Sequence, residues 1–149
     1  MVQIFSIVIP AVIILVFSII SSIYDIKFLA VPLWPCITGI ILLLAARIIF
    51  YTQNCYLYFL SAALLTIIYF AVKLVTKNKL GTGDILFGVF QGLGFRPQFI
   101  WICLLCETIL ALIFFMIKKS HSQDETKKMP FIPFMASGLF VSFVIDCLL

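Results

Sequence analysis

Charge is scarce in this chain: Asp, Glu, Lys and Arg make up 11% of its 149 residues, against 64% for the apolar types. Soluble domains are about 25% charged and about 45–50% apolar, so a water-soluble fold is excluded, and the mean hydropathy of +1.27 says the same. The period-2 alternation of a transmembrane β-barrel strand is missing, since runs such as Ile7 to Ile20 are continuous. The basic residues form no dense stripe, so the formal charge of +4 does not point to a nucleic-acid binder. An odd count of five cysteines gives no disulfide framework. Cys103-x-x-Cys106 has neither a second pair nor a nearby His, so it reads as packing rather than half a zinc site. No metal and no cofactor is expected. The N-terminus lacks both a basic segment ahead of its apolar run and a small-residue cleavage site, and reads as a retained helix rather than a secretory signal.

What remains is an all-α, polytopic membrane protein. At about 20 apolar residues per spanning helix, the length allows six short-looped spans in a single domain, residues 1–149. The expected spans are Ile4 to Tyr24, Leu33 to Phe50, Tyr56 to Val75, Ile85 to Phe95, Phe99 to Ile117 and Phe131 to Leu149. The first rises about 31 Å, enough for a core of about 30 Å. The fourth rises only about 16 Å, so the bilayer must thin there or neighbouring helices must shelter it. Lys27, then Lys77 and Lys79, then Lys118, Lys119, Lys127 and Lys128 fall in the first, third and fifth polar breaks. The positive-inside rule therefore places those breaks in the cytoplasm and both chain termini outside.

Six acidic residues sort on this map. Asp124 and Glu125 share a long cytoplasmic loop with His121 and read as solvated. Asp146 sits near the outer end of the last span, where interfacial hydration tolerates it. Glu107 lies well inside the fifth run, where an ionised carboxylate costs at least about 2.5–3.5 kcal/mol. It is expected to face the bundle, protonated or hydrogen-bonded, as structural glue or as a functional contact. Asp25 and Asp84 each stand where an apolar run meets a cytoplasmic loop, so the topology puts both at one membrane face. Two carboxylates brought close share a proton. The charged member can then activate a water while the neutral one donates to a carbonyl oxygen.

Taken singly, Asp84 could be a helix cap and Asp25 an interfacial charge beside Lys27. Gly81 and Gly83 around Thr82 permit positive φ and a close approach of another segment. Gly88 and Gly92 repeat at four-residue spacing, a small-xxx-small face. Pro32, Pro130 and Pro133 break helices at the cytoplasmic face, as a cavity rim or as plain punctuation.

Three blocks carry a family likeness: Ser21-Ser22-Ile23-Tyr24-Asp25 through Val31-Pro32, Gly81-Thr82-Gly83-Asp84 with Gly92, and Pro130-Phe131-Ile132-Pro133-Phe134 through Gly138. In this order and spacing the chain resembles the type IV prepilin peptidases and the archaeal preflagellin peptidases, within the wider GxGD aspartic proteases. The resemblance implies catalytic Asp25 and Asp84, supported by the Gly81, Thr82 and Gly83 backbone. Lys27, Pro32, Gly88, Gly92, Glu107, Pro130 and Pro133 are candidate substrate or structural contacts. The implied activity is endoproteolysis of a prepilin or pseudopilin leader next to its hydrophobic stem. It would take place at the cytoplasmic face of the inner membrane, amid lipid and without nucleic acid.

Leu86 stands where the family often has Lys, and Ile132 where it usually has Gly. The cysteine-paired N-terminal insertion of the long, methylating members has no counterpart, because the first cytoplasmic break already contains Asp25, so no N-methyltransferase activity is expected. Presenilin and signal peptide peptidase share the two-Asp logic, but their Pro-Ala-Leu motif is missing. From another class, the rivals are a small transporter or ion-pathway subunit using Asp25, Asp84 and Glu107, and a non-catalytic assembly factor. Against the transporter, the first two acids sit at one face and do not ladder across the bilayer.

Overall fold

A lipid core offers the backbone no hydrogen-bonding partner, so continuous apolar runs satisfy their own N–H and C=O groups as helices. The computed structural model describes residues 2–29, 31, 33–50, 54–77, 80–121 and 130–149, with side chains from 6 to 117 and from 130 onward. Six α-helices follow in order: α1 (Val2–Phe28), α2 (Leu33–Phe50), α3 (Cys55–Val75), α4 (Thr82–Gly92), α5 (Ile100–His121) and α6 (Ile132–Leu148). A 3₁₀ turn at Pro97–Phe99 leads into α5. Four segments are long and apolar enough to cross a membrane: Ser6–Phe28, Leu33–Phe50, Cys55–Val75 and Pro97–Ile117. Ile132–Leu148 is apolar but shorter.

The helix limits differ from the sequence expectation at the polar ends. α1 continues through Asp25 and Lys27, both of which were expected in a loop, and α5 continues to His121. Thr82 starts α4, so Asp84 lies inside its first turn rather than ahead of it.

α4 is the hub. It packs on α3, α2 and α6, while α1 joins α2 to α6 and α5 lies along α6. Phe87, Phe90 and Gln91 on α4 are almost completely buried. Neighbouring protein thus shelters the short helix, one of the two alternatives its length required. A Cβ on Gly92 would stand 2.3 Å from Ala62 Cα, and one on Gly88 would stand 2.3 Å from Tyr69 Cδ2. Only residues without a side chain allow α3 and α4 to approach this closely. On the outer surfaces Val12, Ile41, Ile67, Trp101 and Leu112 are all exposed. An apolar surface of this extent is suited to acyl chains rather than water.

One end of the bundle is tied by arginines. Arg47 Nε and Nη2 donate to the carbonyl oxygens of Leu93 and Gly94 at 3.2 and 2.6 Å. The guanidinium also lies 3.8 Å from the Tyr58 ring centre. Arg96 pairs with Asp146. Asp146 is therefore held by an ion pair, which the sequence reading did not foresee.

Candidate active site

The opposite end collects the acids. Asp25 is on the last turn of α1, Asp84 on the first turn of α4, and the start of α6 arrives beside them. Ile132 N–H donates to Asp25 Oδ2 at 2.9 Å, and the Phe131 N–H also serves this carboxylate. The first N–H groups of a helix have no partner within it. Asp25 therefore supplies from α1 the acceptor that the start of α6 lacks. Asp84 does the same for its own helix, its Oδ2 accepting the Gly81 N–H at 2.9 Å. The capping role considered for Asp84 is real, yet it engages only one of the two carboxylate oxygens.

Both acids are nearly buried, with 5% and 8% of their surface exposed. Burial pushes the Asp84 carboxyl up from its ordinary 3.8 to about 6. The Gly81 N–H opposes this, the negative charge of Asp25 adds to it, and Lys73 on the last turn of α3 opposes it. Asp84 thus lies within the field of Asp25. Cys36 on α2 sits in the field of Asp84 and meets Ser21 of α1 at 3.9 Å.

The loop after α1 completes the contact between the first two sequence blocks. Leu29 takes a left-handed φ of 50°, and its N–H closes on the Asp25 carbonyl at 2.9 Å. Val31 then lies against α4, where a Cβ on Gly83 would fall 2.4 Å from Val31 Cβ. None of the described glycines has positive φ, and Gly81 itself is extended. The expected left-handed glycines are thus corrected: the close approach at Gly83 uses the missing side chain, and the left-handed turns fall on Leu29 and Lys77 instead.

Comparison with protein-family models, with curated proteins and with solved structures found no match.

Of the other candidates, Thr82 is exposed beside Asp84, and Pro130 and Pro133 flank the N–H groups that reach Asp25. Lys27 is exposed, its ammonium 5.9 Å from the centre of the Phe28 ring. Gly88 and Gly92 belong to the α3 contact, not to the acid cluster. Glu107 is bound to Tyr69 and Gln91 in the bundle interior. Pro32, Asp124 and Glu125 lie outside the described residues. Leu86 is half-buried against the core, and Ile132 is fully buried. Lys73 and Cys36 were missed as neighbours of Asp84. Lys73 stands one turn inside an apolar run at the same face, and that position was the available signal.

Proposed function

We propose that the chain is a prepilin-peptidase-like aspartic endopeptidase of the peptidase-only type, with Asp25 and Asp84 as its catalytic pair. The observation that carries this reading is the meeting of three sequence blocks far apart in the chain. Asp25 of the first is bonded to Ile132 of the third, Asp84 of the second lies in the field of Asp25, and Val31 of the first lies on Gly83 of the second. Each acid serves a different helix start, but capping alone gives no reason for the two to share one end, and a transport pathway would require acids at successive depths. Here two are gathered at one end.

In the proposed topology all six helices cross or enter the inner membrane, both termini lie outside, and the acid end faces the cytoplasm, as the lysine distribution requires. The substrate is a prepilin-like protein whose apolar stem lies among the helices while its leader reaches the acids from the cytoplasm. Remote packing of the stem then orients the scissile bond. The two carboxyls share one proton: the protonated member donates it toward the substrate carbonyl oxygen, and the ionised member takes a proton from the attacking water. The proton on the gem-diol and the one held by the pair are redistributed as the C–N bond breaks and the amine leaves. The acids titrate as a pair throughout.

Co-expression with a candidate prepilin tests the reading. The expected result is a shortened pilin, seen by gel shift, whose new N-terminus follows a leader glycine. Full-length prepilin across a panel of pilin and pseudopilin substrates, with the enzyme accumulated in the membrane, would overturn it.

A further inference from the structure

Away from the acid cluster, four helices meet at a buried polar group that peptide cleavage does not use. Tyr69 of α3, Gln91 of α4 and Glu107 of α5 are each at most 3% exposed. Tyr69 Oη lies 2.7 and 2.8 Å from the two Glu107 oxygens and 2.8 Å from Gln91 Oε1. Gln91 Nε2 lies 3.0 Å from the carbonyl oxygen of Met135 on α6 and 3.1 Å from Glu107 Oε2, and also meets Cys103 Sγ.

Proton counting decides the state of this group. A backbone carbonyl can only accept, so the amide nitrogen of Gln91 must be the atom facing Met135, which makes the atom facing Tyr69 the amide oxygen. A phenol has one O–H. If it donates to Gln91 Oε1, nothing remains to fill the Tyr69–Glu107 contacts unless Glu107 brings a proton of its own. With Glu107 ionised, one pair of oxygens would face each other at under 3 Å with no hydrogen between them. The facing groups Tyr69, Gln91, Cys103 and the Met135 carbonyl include no cation to balance a negative charge.

We infer that Glu107 is a neutral carboxylic acid that donates to Tyr69, closing a polar clamp that pins α4 to α3, α5 and α6. Tyr69 passes the donation to Gln91, and Gln91 passes it to α6. The Tyr69 ring also occupies the space left by Gly88, so the clamp and the glycine contact hold the same stretch of the helix that carries Asp84. Glu107 is thus a structural hydrogen-bond donor of the bundle interior and does not act as a cation site.

Only two glutamates occur in the sequence, Glu107 and Glu125. Solid-state NMR of the E125Q protein in lipid, labelled with ¹³C at the glutamate carboxyl, therefore reports on Glu107 alone. A neutral-acid chemical shift that stays constant from mildly acidic to mildly alkaline buffer is expected. A carboxylate shift near neutral pH would overturn the inference. In parallel, E107Q supplies an N–H donor to the Tyr69 oxygen and is expected to melt close to the parent, whereas E107L is expected to melt well below it. E107Q melting as low as E107L would contradict the donor role. Neither readout involves peptidase activity, so these results are separable from any failure of the proposed function.

Discussion

Replacing Asp84 by Asn removes an ionisable group from a buried position while keeping an oxygen that can accept the Gly81 N–H. The Asp84 carboxyl is raised from 3.8 to about 6 in the folded chain, and each pH unit is worth about 1.4 kcal/mol, giving about 3 kcal/mol. The sign follows from proton linkage: a raised carboxyl favours the protonated folded state. Its stabilising contribution is therefore complete below pH 3.8 and is lost as the pH rises through about 6. The Asn variant has no such loss, so it should gain on the parent across this window by about 3 kcal/mol. For a chain of this size that is roughly 6–12 °C in Tm. The assay is thermal unfolding in detergent at a series of pH values, followed through the fluorescence of Trp34 and Trp101. Curves for parent and variant that stay parallel from pH 3.8 to about 6 would refute the reasoning.

Three further outcomes follow from the same geometry. Lys73→Met removes the positive charge that lowers the Asp84 carboxyl, so the alkaline limb of the trimming rate should move to higher pH; an unmoved or lowered limb would count against Lys73 as a neighbour of the pair. Gly92→Ala places a Cβ 2.3 Å from Ala62 Cα and should cost about 1–3 kcal/mol or more, with reduced membrane yield; unchanged melting would contradict the close approach of α3 and α4. Leu29→Gly relieves a left-handed residue at φ 50° and should raise stability by about 1 kcal/mol in thermal unfolding, whereas a loss would show that the Leu29 side chain outweighs the backbone strain.

Much of this architecture was legible in the residues because lipid imposes a coarse rule: apolar runs become helices, and the run limits predicted α2 and α3 to within a residue. Gly88 and Gly92 were rightly read as a helix contact, since four-residue spacing fixes one face. The polar ends were less legible. Asp25 and Asp84 were placed at the ends of apolar runs, whereas α1 runs on through Asp25 and Asp84 falls in the first turn of α4, each carboxylate accepting an N–H at a helix start. The bond from Asp25 to Ile132 spans 107 residues, and no local pattern contains it. Glu107 was expected to face the bundle. Its partners could not be read, because Tyr69 and Gln91 come from two other helices whose rotation depends on packing. Arg96 and Asp146 were invisible as a pair for the same reason.

The central claim is that Asp25 and Asp84 act together, and the most direct measurement is prepilin trimming by Asp25→Asn and by Asp84→Asn, each scored against the amount of enzyme in the membrane. Each substitution is predicted to leave a folded, membrane-resident protein and to abolish cleavage. Wild-type trimming by either variant would contradict the account.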